Sequence, residues 1–230
     1  NFLPEDYKAV SANHNVVKTV HQEAEWDTAD PVAETAWVHE LHDRTGYPHA
    51  AIGQAWFMRD DIAEVLAGHA AYPLMRSVRQ KPAAAPSPKD FIPGAPGSLA
   101  DPKFRDGFKL LQRHGLHYDI QTPWGHLGEA ADLARDFPDT LIILNHTGLP
   151  SDRSAEGLAG WREGMEVFAA QPNTAVKISG IGLPGIQWTA ENNAEVVLET
   201  IRIFGAERCM FASNFPVDSL AGSFDEIYGG

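Results

Sequence analysis

Leu141-Ile142-Ile143-Leu144-Asn145-His146-Thr147-Gly148 is the stretch on which the fold turns. Four apolar residues, enough for a short buried strand, stop abruptly at an amide, an imidazole and a glycine turn. The layout recurs in Ala175-Val176-Lys177-Ile178-Ser179 and in Cys209-Met210-Phe211-Ala212-Ser213-Asn214. Each run follows an amphipathic helical stretch and precedes a loop rich in Gly or Pro. Parallel α/β folds collect their chemistry at the carboxyl ends of the strands, so this is the layout of an enzyme.

Outward from these runs, the pattern predicts seven strands, at 16–23, 50–57, 74–80, 116–122, 141–146, 175–181 and 209–214. Helices are predicted between them at 31–44, 60–68, 102–114, 125–137, 155–170 and 190–204. Asp30 before Pro31 reads as an N-cap followed by proline at the first helical position, and Gly115 and Gly205 stand where helices should stop. Lys81 to Gly97, rich in Pro, Ala and Ser, is predicted as a long loop near the mouth, in the position of a lid. Strict alternation leaves a closed (β/α)8 TIM barrel or an open doubly wound sheet, here read as one domain over residues 1–230. Seven strands are one short of a barrel. The polar opening, residues 1–15, and the closing segment, residues 223–230, therefore read as clipped ends that lack a first strand and a last helix.

The 230 residues are 43% hydrophobic and 21% charged, the balance of a soluble globular protein. A net charge of −13 argues against nucleic acid and anionic membrane as partners, because both require clustered Lys and Arg. The same charge makes any cation in a pocket informative. One cysteine, Cys209, excludes a disulfide framework and a thiolate metal site, and points to a reducing cytoplasm. No apolar run is long enough to span a bilayer. A homo-oligomer is compatible with the sequence but nothing in it requires one.

Gly180-Ile181-Gly182-Leu183-Pro184-Gly185 matches a dinucleotide fingerprint, yet Pro184 and Gln187-Trp188-Thr189 postpone the next helix to Ala190. A phosphate needs free amides at the immediate start of a helix, so the stretch reads as a flexible loop. His146, at a strand's carboxyl end, is a candidate metal ligand, general base or hydrogen-bond donor; the alternative is a turn cap. Asn214 can only hydrogen-bond, whereas Asp218 can also take a proton, and both could equally cap turns. Arg76 and Arg79 on one strand, with Lys177 and Ser179 on another, are cations and a hydroxyl suited to an anionic substrate, or to partnership with carboxylates such as Glu23. His21 and Glu23 are expected to share a face at the end of the first strand and to contact substrate. His14, His42, His49, His69 and His114 read as surface residues at the opposite end.

Taken together, Asn145-His146-Thr147-Gly148-Leu149-Pro150, Val176-Lys177-Ile178-Ser179-Gly180 and Ser213-Asn214-Phe215-Pro216 resemble the amidohydrolase-related branch of the amidohydrolase superfamily. That branch contains sugar-acid lactonases and 2-pyrone-4,6-dicarboxylate lactonase. The resemblance implies a (β/α)8 barrel that hydrolyses a small ester or amide, commonly a lactone, with His146 after the sixth strand and Arg79 in a position that meets a substrate carboxylate or carbonyl. Two departures stand out. The family's first-strand His-x-His pair is absent from this sequence, and Asn214 occupies the place of an aspartate that serves as base or metal ligand. A neutral amide cannot accept water's proton, which leaves Asp218 as the substitute. Gln121 stands where metal-binding relatives have histidine, so His146 is the one clear metal ligand.

The expectation is thus a metal-independent lactonase acting on a small anionic lactone. Arg76, Arg79 and Lys177 would orient the substrate, His146 would polarise the carbonyl, and Asp218 or an unseen residue would activate water. The alternatives are a decarboxylase of the same superfamily that uses one divalent metal such as zinc, and a barrel that binds a small acid without turnover.

Overall fold

The computed structural model describes residues 2–183 and 185–229. In chain order its elements are α1 (Pro4–Val10), β1 (Val20–Gln22), α2 (Pro31–Thr45), β2 (Ala50–Gln54), α3 (Ile62–Ala70), β3 (Met75–Gln80), α4 (Pro102–Phe108), α5 (Leu111–His114), β4 (His117–Ile120), α6 (Leu127–Asp136), β5 (Ile142–Leu144), α7 (Ala155–Ala169), β6 (Thr174–Ile178), α8 (Ala190–Phe204), β7 (Cys209–Phe211) and α9 (Phe224–Gly229). All seven strands pair in parallel in the order of the chain, β1 to β7. The sheet curls. Lys177 of β6 donates across it to Gln22 of β1 at 2.9 Å, which no flat seven-stranded sheet would permit. The architecture is an α/β fold of TIM-barrel type with β1 and β7 as the two sheet edges.

The local signals act as expected. Asp30 accepts from the Ala33 amide at 3.2 Å, Pro31 opens α2, and Gly46 closes it in the left-handed conformation. Ser154 and Thr189 cap α7 and α8 in the same way. The single helix predicted over 102–114 is two, α4 and α5. The break follows Gly107, where an added Cβ would stand 2.1 Å from the Phe57 carbonyl oxygen; only glycine allows α4 so close to that backbone. The fully buried rings of Phe104, Phe108 and Tyr118 pack edge-on around Phe57 and seal this side of the core.

Two expectations change, and the long loop expected over 81–97 is present. The polar opening holds α1, and Phe224–Gly229 is helical, with the Phe224 ring buried against Tyr7, His14 and Phe215. His69 is no surface residue. It is fully buried, with Nε2 on the Gln54 carbonyl at 2.8 Å and Nδ1 on the Thr35 hydroxyl at 2.9 Å, because a ring on α3 that faces β2 can satisfy both nitrogens there. Lys81 to Gly97 is a loop with one 3-10 turn, and it is tied down: Ala85 donates to His126 Nε2 and Gly94 to the Glu129 carboxylate, both at 2.8 Å. Among the described residues no helix is long and apolar enough to cross a membrane.

Candidate active site

The turn after β5 places His146. Asn145 is anchored through its amide to the Ile120 carbonyl at 2.7 Å, and Trp161 Nε1 donates to the Thr147 carbonyl at 2.8 Å. Between these ties His146, Thr147 and Leu149 all take positive φ, near 55°, a conformation that costs energy in non-glycine residues and concentrates at functional sites. The His146 ring lies over Gly180, and its Nδ1 sits 3.0 Å from the Ser179 hydroxyl. Burial, then the fields of Arg79 and Lys177, depress its pKa from 6.5 to about 4. The imidazole is neutral at physiological pH.

Gly180 links this ring to the end of the chain. Its amide donates to Asp218 at 3.1 Å, and the other oxygen of that carboxylate accepts from Asn214 Nδ2 at 2.7 Å. Asn214 is itself held at positive φ, and the Asp218 amide closes the turn onto its carbonyl at 3.0 Å. Burial raises the Asp218 pKa, and the two donated hydrogen bonds offset only part of that rise.

Two buried ion pairs form the inner wall. Arg79 donates through Nε to the Glu23 carboxylate, through Nη2 to the Glu23 carbonyl at 2.8 Å and through Nη1 to Gln121 at 3.3 Å. Lys177 meets Asp119, which is fully buried and also accepts from Asn145 at 2.8 Å. Nearer the surface Lys81 pairs with Glu25 at 2.9 Å.

His146, Asn214, Asp218, Arg79, Lys177, Ser179, Glu23 and Gln121 therefore lie at or near the carboxyl ends of the strands. Arg76 does not join them. It stands near the amino end of β3, exposed, bonded to the Pro73 and Met75 carbonyls; a spacing of three along a strand puts it on the face opposite Arg79. His21 also turns away, toward Glu34 of α2 at 2.8 Å, because β1 ends at Gln22 and the two-residue alternation does not carry on to Glu23. Gln22 is the β1 residue that faces inward. Sequence reasoning passed over Gln22, Asp119 and Asn145, although a signal existed. An aspartate and a lysine within otherwise apolar buried strands must find each other.

In the glycine-rich loop after β6, Gly182 packs on Ala221 and Trp188, and α8 begins only at Ala190. Pro184 lies outside the described residues. No helix start follows the glycines to hold a phosphate.

A curled parallel sheet that gathers a neutral histidine, a carboxylate of raised pKa and paired cations at its strand ends has the layout of an α/β enzyme. The chain belongs to the amidohydrolase family, whose model matches residues 2–229, and it is a hydrolase. It is similar to the uncharacterized protein y4mH of Sinorhizobium fredii, 41% identical over 227 residues, which are 99% of this chain and 76% of that protein. It is also similar to L-fucono-1,5-lactonase of Burkholderia ambifaria, 26% identical over 236 residues, 100% of this chain and 74% of the relative. Among solved structures, an amidohydrolase of Burkholderia multivorans with bound zinc superimposes with a TM-score of 0.80 at 22% identity, over all of this chain and 79% of that one.

The zinc in that structure raises the question of whether these residues fit a metal. His146 and Asp218 are neighbours, but the other inward carboxylates, Glu23 and Asp119, already hold Arg79 and Lys177. Among the described residues no three His, Cys, Asp or Glu side chains converge. A catalytic zinc takes three protein ligands and would meet two resident cations here, so the described residues do not fit one.

Proposed function

We propose that this chain opens small lactones, hydrolysing the ring C–O ester bond at the carboxyl ends of its strands. The observation that carries this reading is the meeting of His146 and Asp218 on either side of Gly180, with the imidazole kept neutral and the carboxyl made more basic. In the tautomer whose Nδ1 accepts from the Ser179 hydroxyl, His146 Nε2 carries the proton and is a neutral donor for the lactone carbonyl and for the oxyanion that follows. Asp218 takes the proton of the attacking water, the part that Asn214 cannot play. Asn214 instead holds Asp218 in place.

Arg79, Gln121, Lys177 and Ser179 supply hydrogen bonds to the rest of the ring. Arg79, Lys177 and Lys81 each carry a carboxylate partner, which reduces the charge they offer to a substrate although their fields still reach His146. With Arg76 elsewhere, the charge argument for an anionic substrate weakens, and a hydroxylated lactone recognised by hydrogen bonds fits better. The lactonase names carried by relatives support the reaction type.

The test is acid release from a panel of five- and six-membered sugar lactones, with His146→Asn compared against His42→Asn on α2. His146→Asn should lower kcat by about a hundredfold or more, the effect of losing an oxyanion donor, while the His42 variant should stay near wild type. Equal losses would remove His146 from the reaction, and no turnover of any lactone would end the proposal.

A further inference from the structure

We infer that Lys177 is the proton donor to the departing ring oxygen, and that Asp119, Asn145 and Gln22 are positioning residues that aim its ammonium. The inference rests on the lactonase reading and adds the half of the reaction that His146 and Asp218 leave open.

Ring opening requires a proton at a second place. When the tetrahedral intermediate collapses, the C–O bond to the ring oxygen breaks and an alkoxide leaves, whose conjugate acid is about as weak as water. Such a group departs slowly unless an acid meets it. His146, with its pKa near 4, is neutral and serves the carbonyl; Asp218 has just accepted a proton on the other flank.

Lys177 stands where a donor is needed. It lies on β6, which ends at Ile178, and stands two residues before Ser179, thus about 6 to 7 Å earlier along the strand direction than the His146–Ser179 contact. Its field reaches the His146 ring. Of its three N–H bonds, one goes to Asp119 and one to Gln22 Oε1; among the described residues the third has no acceptor. The cluster around it is built for holding. Asp119 is fully buried, with one oxygen shared by Lys177 and Asn145.

Two of its atoms remain without protein partners: Asp119 Oδ2 and Gln22 Nε2, an acceptor and a donor, both buried. Glu34 and Glu129, buried elsewhere, also keep one carboxylate oxygen without a protein partner, so what sets this cluster apart is a bare acceptor and a bare donor together beside the lysine. An unmatched acceptor and donor flanking a lysine with a free N–H suit a hydroxylated guest.

The balance is simple. Water's oxygen bonds to the acyl carbon and its proton goes to Asp218. The ring C–O bond breaks, and a proton passes from Lys177 Nζ to the ring oxygen. The proton on Asp218 returns through solvent to Lys177, so the product is the hydroxy acid and the enzyme is restored.

The experiment compares two leaving groups on one protein sample. A sugar lactone expels an alkoxide, whereas dihydrocoumarin expels a phenolate, whose conjugate acid has a pKa of about 10 and needs little help. Lys177→Met should slow the sugar lactone by about 10²- to 10⁴-fold and dihydrocoumarin by less than about tenfold. Asp119→Asn should shift the same ratio in the same direction by a smaller factor. Because removing one charge strands its buried partner, the double variant Lys177→Met, Asp119→Asn is measured as well. The ratio of the two rates does not depend on how much of the sample is folded. Equal slowing of both substrates would overturn the inference while leaving the lactonase reading intact; a wild-type protein that opens no lactone would remove both.

Discussion

The His146 ring occupies the space that a side chain on residue 180 would need: a Cβ there would stand 2.5 Å from Nδ1, while the amide of the same Gly180 holds Asp218. One glycine thus spaces the two groups proposed to share the reaction. Gly180 also has φ +58°, so Gly180→Ala combines backbone strain with a forced displacement of the imidazole. Gly115, at φ +62°, has nothing within 4 Å and isolates the strain alone. Both alanine variants should lose about 1 kcal/mol of stability from strain. Only Gly180→Ala should lose kcat, by about a hundredfold, the effect of a misplacement near 1 Å. Parallel denaturation and kinetics of the two variants separate these terms.

Asn214 donates to Asp218 across 2.7 Å, so restoring a carboxylate at position 214 should harm the enzyme rather than improve it. In Asn214→Asp two carboxylates face each other at hydrogen-bond distance and cannot both ionise, so one pKa rises. A folded-state pKa raised above its unfolded value stabilises at low pH and loses that contribution as pH rises through it. The variant should be relatively more stable in acid, and its activity should require a higher pH than wild type. Thermal melts and rates from pH 4 to 9 measure both, and an unshifted profile would show that the two side chains do not interact.

Three histidines, His39, His69 and His146, have lowered pKa values and draw stability down on the acid side. Burial lowers the pKa of His69, and burial with Arg79 and Lys177 lowers that of His146 from 6.5 to about 4. The unfolded chain therefore binds these protons first as pH falls, and stability declines from pH 6.5 downward. For half-buried His146 the share lost by pH 4 is about 2 to 3 kcal/mol. His146→Asn should flatten this decline, and wild-type kcat should show no inflection at the ordinary imidazole pKa of about 6.5. Urea unfolding at pH 7, 5.5 and 4.5 gives the first, and a pH–rate profile the second.

The strands were legible because apolar runs ending in polar residues are dictated by burial along the strand and exposure at its mouth. All seven fall where that pattern put them, shortened by one to five residues where polar ends leave the ladder. What the sequence concealed was direction. Arg76 and Arg79 look alike in a list of cations but point to opposite faces, and His21 follows the pleat outward to Glu34. Partnership was equally hidden: Lys177 meets Asp119, 58 positions earlier in the chain, across the intervening β5, and the curl of the sheet brings Gln22 of β1 to the same ammonium. His69 was misread because its satisfaction by Thr35 and the Gln54 carbonyl depends on how α3 packs across β2.

The Arg79–Glu23 pair offers a way to change what the site accepts. Both side chains are enclosed, 10% and 2% exposed, and Glu23 reduces the charge that Arg79 would otherwise present. In Glu23→Gln the amide oxygen can still accept from Nε, and the Glu23 carbonyl and Gln121 contacts need no change. The wall then gains one net positive charge. Breaking a buried pair costs about 3 to 5 kcal/mol, so the variant should melt earlier. Its preference should nevertheless turn toward lactones that bear a carboxylate, with the ratio of kcat/KM for a carboxylated over a neutral lactone rising about tenfold, or 1.4 kcal/mol. Arg79→Met should move the ratio the other way, because it leaves Glu23 as an uncompensated anion facing the substrate. If neither variant changes the ratio, Arg79 does not meet the substrate, and recognition falls to Lys177 and Ser179.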